Sequence, residues 1–112
     1  TFLQMYLNKG ELNGKRILSR KTVEFMLQNQ VGSLFGEDKG FGLGFAILSE
    51  RGATKGGQGS IGSFDWGGYF NTSYFADPKE NIIGIIMKQT QRVANDYTSG
   101  TFRQLVFQAI DD

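Results

Sequence analysis

The chain has 112 residues, enough for one domain with a single hydrophobic core. Its 12 basic and 11 acidic side chains give a net charge of +1, so no overall positive field attracts nucleic acid or an anionic membrane. Because the sequence has no cysteine and no histidine, disulfides, thiolate metal sites and a histidine general base are excluded. We expect neither a bound metal nor a cofactor.

The first part of the chain, residues 1–31, carries helical patterns. Residues 1–8 crowd apolar side chains onto one broad face, and Asn13-Gly14 further along is a strong turn dipeptide. Ser19 is a good N-cap for a helix of about residues 20–30. We therefore predict a helical segment over residues 1–31.

The sequence period changes to two residues near Gly40, which is typical of strands. Bulky and small side chains alternate along the first of these segments, and the last is an almost continuous apolar run that predicts a strand buried on both faces. The pattern predicts one antiparallel sheet with strands near residues 41–49, 62–68, 72–77 and 81–89.

Two segments partly match signatures of nucleotide or RNA binding. Lys39 to Ala46 starts like an RNA-recognition motif, but Leu43 and Gly44 stand where base stacking and packing need larger side chains. The glycine-rich run 52–62 lacks the Gly-Lys-Ser/Thr ending of a phosphate-binding loop and precedes a strand instead of a helix. We expect an inward-packing strand and a flexible surface loop here, and no nucleic-acid partner.

The last segment predicts an amphipathic helix of about fifteen residues that starts near residue 95. Its apolar side chains have helical spacing: Phe102, Leu105, Val106, Ala109 and Ile110. This order of elements, with helices first, strands next and a covering helix last, predicts an α+β fold. In that fold an antiparallel sheet follows an N-terminal helical segment, and a C-terminal helix packs on the sheet. We predict a single domain over 1–112, in which 40–112 form the sheet plus the terminal helix. No stretch approaches the length of a membrane span.

A resemblance to a known family centres on the segment Ser63-Phe64-Asp65-Trp66-Gly67-Gly68-Tyr69-Phe70-Asn71-Thr72, which an Asp-Pro turn and an apolar strand follow. It resembles the third active-site box and following hairpin of serine β-lactamases, penicillin-binding proteins and their class C-like esterase relatives. That box is usually Lys-Thr-Gly or His-Thr-Gly, and Trp-Gly-Gly in the esterase branch. Here it would be Trp66-Gly67-Gly68. The Gly-Phe-Gly-Leu-Gly-Phe segment upstream and the final helix extend the resemblance over nearly the whole chain, which we identify as the C-terminal part of such a protein.

The resemblance implies acyl transfer by a serine hydrolase of β-lactamase or esterase type. It implies that Trp66, Gly67 and Gly68 bind the substrate and that the backbone amide of Tyr69 donates to the oxyanion. The substrate of the parent protein would be a small-molecule β-lactam, a peptide or an ester, whose acyl group is transferred to water. Trp66 in place of a cationic residue favours esters. The family suggests a periplasmic or secreted location.

The nucleophile of that family lies in a Ser-x-x-Lys box, and no serine of this chain has lysine three positions later. Tyr6-Leu7-Asn8 matches the family's Tyr-x-Asn box, but it lies in an apolar helix too near the third box, so we interpret it as a chance match. The chain opens at Thr1 in an apolar segment without a start methionine, and we expect a fragment that is inactive alone. A noncatalytic α+β interaction domain is the alternative. Apolar surface at Phe2, Leu3, Tyr6 and neighbouring strands predicts self-association or the exchange of an element between copies.

Overall fold

The computed structural model describes residues 1–111, and this part of the chain forms a five-stranded antiparallel sheet, a separate two-stranded hairpin and four helices. No helix in the described part has the length and apolar character that crossing a membrane requires. In chain order the elements are α1 (Phe2–Leu7), β1 (Glu11–Leu12), β2 (Lys15–Arg16), α2 (Arg20–Met26), β3 (Lys39–Phe41), β4 (Ala46–Leu48), α3 (Glu50–Thr54), β5 (Phe64–Gly67), β6 (Ser73–Asp77), β7 (Ile82–Ile86) and α4 (Thr98–Gln108).

The sheet is a meander in the order β3-β4-β5-β6-β7, with helices on both faces. Phe64 pairs with Ala76, and both side chains enter a core shared with α1 and α2. Their neighbours Asp65 and Phe75 point to the other face, since side chains alternate along strands. There the Phe75 ring lies 6.2 Å from the ring of Phe102 in α4. The predicted α+β fold, with the C-terminal helix on one face of an antiparallel sheet, is confirmed.

The N-terminal segment contains a hairpin as well as helices. Asn13 and Gly14 have φ values of 49° and 73°, the left-handed pair that a two-residue β-turn requires, and they join β1 to β2. Ser19 accepts a hydrogen bond from the Thr22 amide at 3.0 Å and begins α2 as predicted. The helix ends at Met26, earlier than expected, and the Leu43 amide donates to the Met26 carbonyl at 2.8 Å.

The predicted strand over 41–49 is wrong, because the chain reverses within it. β3 ends at Phe41, the Gly42 amide donates to the Phe45 carbonyl at 2.8 Å, and β4 then pairs with β3. Gly44 has φ +103°, a conformation that side chains rarely adopt. The glycines that we interpreted as the small face of one strand instead form the turn of a hairpin.

The glycine-rich run is more ordered than the predicted surface loop. It starts with α3, where Ser49 accepts a hydrogen bond from the Gly52 amide at 3.1 Å. Further on, Asp77 of β6 is fully buried and accepts from the Ser60 amide at 2.7 Å and the Ser63 hydroxyl at 2.9 Å. The buried Asp77 carboxylate therefore anchors the glycine run to the sheet.

Two predicted burial patterns are also wrong. In α4 the buried side chain is Arg103, whereas Leu105 is 58% exposed. β7 is an edge strand, and Ile85 is 56% exposed, so this strand is not buried on both faces. An apolar run of this kind fits an edge strand with one exposed face as well as a central strand, so the sequence alone does not distinguish the two positions.

Candidate functional site

The Trp66-Gly67-Gly68 box lies at the end of β5 where pairing with β4 has stopped and pairing with β6 continues. β4 pairs with β5 only through Ile47 with Phe64 and Ala46 with Asp65. Beyond Asp65, β5 pairs with β6 alone. One backbone edge of the box is therefore open to an incoming molecule.

The two glycines of the box permit a close approach to the chain that returns toward β6. The Gly68 amide donates to the Thr72 carbonyl at 2.9 Å. A Cβ on Gly68 would lie 2.4 Å from the Thr72 hydroxyl oxygen, and one on Gly67 would lie 2.9 Å from the Thr72 carbonyl oxygen. Any side chain here would push the turn away from the strand.

The backbone amide of Tyr69 has no acceptor among residues 1–111. The Gly68 amide donates to the Thr72 carbonyl and the Asn71 amide donates to the Gly68 carbonyl at 3.0 Å, whereas the Phe70 amide, like that of Tyr69, has no acceptor in the described part of the chain. The Tyr69 side chain is 72% exposed, and its hydroxyl accepts a hydrogen bond from Gln91. A free backbone donor thus sits at the end of the open edge.

Trp66 is 49% exposed, so it is not a core aromatic residue. Its ring meets the Phe41 ring edge-to-face at 5.0 Å, and the Phe41 ring lies 5.8 Å from that of Phe35. Beside this aromatic rim, a cavity of about 380 Å³ is lined by the box and by residues that include Thr72 and Ser99. The lining therefore combines the Trp66 ring with backbone groups and with polar side chains that include Asp65 and Asn71.

A polar cluster fixes the turn that carries Tyr69. The Asn71 side-chain amide donates to the Thr90 hydroxyl at 3.0 Å and to the Asp96 carboxylate. Lys88 donates to the same carboxylate at 3.0 Å. Hydrogen bonds from Thr98, Lys88 and Asn71 hold the pKa of Asp96 well below its ordinary value. No local sequence pattern reveals this cluster, because Asn71 and Asp96 lie 25 residues apart.

Ser99, which lines this cavity, accepts a hydrogen bond from a lysine. Lys88 donates to the Ser99 hydroxyl at 2.9 Å, to the Thr98 hydroxyl at 2.7 Å and to Asp96. All three ammonium protons are thus engaged, and the lysine has no free electron pair with which to take a proton from serine. This arrangement does not activate Ser99 as a nucleophile.

Tyr6 lies in the core, away from the box. It is 5% exposed, its hydroxyl donates to the Met26 sulfur at 3.9 Å, and burial raises its pKa. A raised pKa disfavours the phenolate that a base would need. The interpretation of Tyr6-Leu7-Asn8 as a chance match agrees with this position.

Comparisons with known proteins agree with the fold. The chain is similar to EstCE1, described as a hydrolase with promiscuous acyltransferase activity, with a TM-score of 0.75, 27% identity, and coverage of 93% of this chain and 27% of that one. It is also similar in fold to the simvastatin synthase LovD of Aspergillus terreus, with a TM-score of 0.69, 21% identity, and coverage of 98% of this chain and 33% of that one.

Among curated proteins, the chain is similar to protein Rv1367c and to the uncharacterized protein MT1414, each from a strain of Mycobacterium tuberculosis. Each is 28% identical over 100 residues, which cover 79% of this chain and 25% of the relative. The chain thus spans about a quarter of the length of these relatives. No protein-family model matches it. Its fold and these structural neighbours place the chain in the superfamily of serine β-lactamases, penicillin-binding proteins and the esterases related to them.

Proposed function

We propose that this chain is the C-terminal part of a serine hydrolase that transfers an acyl group from an ester, and that it supplies one wall of the active site. The open edge of Trp66-Gly67-Gly68 and the unpaired Tyr69 amide carry the proposal. In acyl transfer, backbone amides stabilise the oxyanion of the tetrahedral intermediate when they point to it in advance. Tyr69 would supply one such amide, and the nucleophilic serine, outside this chain, the other.

The side chain at the first position of the box favours ester substrates over β-lactams. At the first box position the chain presents the half-exposed ring of Trp66, which packs on Phe41, instead of an ammonium or imidazole group. An aromatic surface stabilises an apolar acyl or alcohol group by burial but offers no charge to a substrate carboxylate. The similarity to EstCE1, titled a hydrolase with promiscuous acyltransferase activity, supports acyl-transfer chemistry.

The missing nucleophile gives the first test. The isolated 112 residues should neither hydrolyse p-nitrophenyl esters or a chromogenic cephalosporin nor react with a fluorophosphonate, because no serine has lysine three positions later. The complete protein should hydrolyse p-nitrophenyl esters and label once. Stoichiometric labelling of the isolated chain would contradict the proposal, and so would a folded complete protein that never labels.

A substitution at Gly68 tests the box itself. In the complete protein, Gly68→Ala places a methyl group 2.4 Å from the Thr72 hydroxyl oxygen, so the turn must move and carry the Tyr69 amide with it. Loss of one oxyanion donor lowers kcat roughly 100- to 1000-fold. We expect a decrease of this order in kcat for p-nitrophenyl esters, with little change in KM.

Matched variants distinguish displacement of the turn by the Gly68→Ala methyl group from a general loss of folding. Thr72→Ala removes the hydroxyl that the new methyl group would strike and should leave kcat nearly unchanged. The double variant Gly68→Ala/Thr72→Ala should recover part of the lost rate. If folded Gly68→Ala keeps the original rate, the box is a packing feature and the proposed role of Tyr69 is wrong.

A noncatalytic interaction domain is the second candidate. It is favoured by large apolar side chains that lie on the surface, among them Leu34 at 76% and Phe35 at 61% exposure. Exposed apolar patches often mark interaction sites. Active-site labelling of the complete protein distinguishes the two, since an interaction domain would not react with a fluorophosphonate.

A further inference from the structure

Phe41 supplies the aromatic ring against which the half-exposed Trp66 packs. β4 stops pairing with β5 at Asp65, so the indole ring has no cross-strand neighbour on that side. On the other side, Tyr74 of β6 lies opposite Trp66. The Phe41 ring, from β3, meets the indole edge-to-face, with the ring centroids 5.0 Å apart and an angle of 81° between the planes. This geometry is favourable for aromatic pairs. The indole is therefore supported from the β4 side by a strand that is not its sheet neighbour.

The backbone of Phe41 is held in place by the segment that follows α2. Its amide donates to the side-chain oxygen of Asn29 at 3.2 Å, and its carbonyl accepts from the Gln30 amide at 2.8 Å. Directly after it, a Cβ on Gly42 would lie 2.2 Å from the Met26 carbonyl oxygen, so the chain passes close to the end of α2. Because Phe41 cannot move without breaking these contacts, its ring is a fixed support.

The orientation of the Trp66 ring decides how apolar the cavity at the box is. Trp66 is the large apolar residue in the lining of this cavity of about 380 Å³, and the other lining residues are glycines or polar. An apolar group is stabilised in proportion to the area that it removes from water. If the indole turned away, the lining would be polar, and a long apolar group would lose more contact than a short one.

We propose that Phe41 is a positioning residue, which holds the Trp66 ring over the cavity and thereby sets a preference for esters with a long apolar group. Phe41 acts through Trp66 and does not itself contact the substrate. The inference rests on the proposed hydrolase function, because that function makes the cavity the substrate site. The apolar group belongs to the acyl part or to the alcohol part of the ester, and either would meet the same ring.

The first test measures kcat/KM of the complete protein for two pairs of esters. p-Nitrophenyl acetate and octanoate differ only in the acyl group, and ethyl acetate and octyl acetate differ only in the alcohol. Phe41→Ala should lower kcat/KM about three- to tenfold for the long member of one pair, through KM, and much less for its short member. The pair that responds more shows which part of the ester meets the ring. Phe41→Tyr keeps the ring and should keep the preference, and Phe25→Ala, at an exposed phenylalanine of α2, is the matched control.

A direct readout of the indole distinguishes failure of this inference from failure of the proposed function. The complete protein is labelled with fluorotryptophan, and the ¹⁹F signal of Trp66 is assigned by its loss in Trp66→Phe. Methyl hexyl ketone, which cannot be hydrolysed, should shift this signal saturably in the original protein and in Phe41→Tyr. In Phe41→Ala the ketone should bind about three- to tenfold more weakly. A complete protein that shows this pattern but hydrolyses no ester would contradict the hydrolase function and support the role of Phe41.

A second variant keeps the inference testable if Phe41→Ala does not fold. Phe41→Leu keeps apolar bulk without an aromatic ring and should also weaken binding of the long ester and of the ketone. The inference is overturned if folded variants lose activity equally on short and long esters, or if they lose none. It is also overturned if the Trp66 signal of these variants responds to the ketone as it does in the original protein.

Discussion

The side-chain amide of Asn71 donates to the hydroxyl of Thr90 at 3.0 Å, and the Asn71 backbone has a left-handed φ of 69°. The same amide donates to Asp96, which Lys88 also contacts. Asparagine tolerates this conformation better than most residues with a side chain. The hydrogen bonds across to the following loop hold the turn that carries Tyr69, so the box geometry depends on residues far from it in sequence.

Two substitutions at Asn71 separate the hydrogen bonds from the backbone preference. Asn71→Gly loses the bonds to Thr90 and Asp96 but relaxes the backbone, and it should lower the free energy of unfolding by about 1–3 kcal/mol. Asn71→Ala loses the same bonds and keeps a Cβ at positive φ, which costs about 1 kcal/mol more. Urea unfolding measures both. Equal losses for the two variants would show that the backbone conformation is unimportant.

The sequence predicts the strands around Trp66-Gly67-Gly68 because these depend on local chemistry, whereas the box itself is identified by family resemblance. The two glycines of Trp66-Gly67-Gly68 and the turn at Asp77-Pro78 are visible as residue types at fixed spacing. The hairpin at Gly42–Gly44 was missed, since alternating glycines fit a strand and a turn equally well. Its turn is fixed by the Gly42 amide, which donates to the Phe45 carbonyl at 2.8 Å.

The buried ion pair of Asp65 and Arg103 could not be predicted for a different reason. The two residues are 38 positions apart, and each looks like a surface charge in its own segment. Only the packing of α4 across the sheet, with Phe75 beneath the guanidinium group, brings them together. Such pairs depend on tertiary structure and leave no periodic signal in the sequence.

A second prediction concerns pH and Asp77. Burial alone would raise its pKa, but hydrogen bonds from the Ser60 and Glu80 amides and the Ser63 hydroxyl together lower it below the ordinary value. A carboxyl whose pKa is lower in the folded state stabilises the fold above its unfolded pKa, near 4, and this contribution disappears as pH falls through the folded pKa. The free energy of unfolding should therefore decrease below about pH 4.

The variant Asp77→Asn should remove that dependence. At pH 7 it should be less stable than the original chain, and the difference should shrink as the pH is lowered below 4. Urea unfolding at both pH values measures the change, with Glu50→Gln at an exposed position as the control. A difference that stays constant down to the lowest pH would mean that the Asp77 charge contributes no stability.

A third prediction compares two glycines. A Cβ on Gly84 of β7 would lie 2.1 Å from a carbon of the Phe75 ring, so Gly84→Ala must displace that ring and the Arg103 side chain stacked on it. Overpacking of this kind costs about 1–3 kcal/mol. A Cβ added to Gly100 of α4 would meet no atom within 4 Å. Gly100→Ala should therefore stabilise the helix by up to about 1 kcal/mol. Opposite shifts in thermal midpoint are expected, and a stabilised Gly84→Ala would show that the ring is free to move.

The last prediction concerns association. The sequence predicts self-association through Phe2, Leu3, Tyr6 and neighbouring strands, but Leu3 and Tyr6 are buried, and of these three residues only Phe2 is exposed, at 60%. Among the strands, β7 offers the exposed surface, because it is an edge strand and Met87, just beyond it, is 78% exposed. Edge strands with exposed apolar side chains readily pair with another copy. Sedimentation velocity of the 112-residue chain in the tens of micromolar should therefore show dimers or larger species.

A charge on this strand should suppress the association. Ile85 is 56% exposed, and Ile85→Lys places an ammonium group on the apolar edge, where pairing with a second copy would bring two such charges together. Ile17→Lys, at a similarly exposed isoleucine outside the sheet, is the matched control and should associate like the original chain. If both variants associate equally, β7 is not the contact. If the original chain sediments as a monomer throughout this range, the apolar edge does not drive association at all.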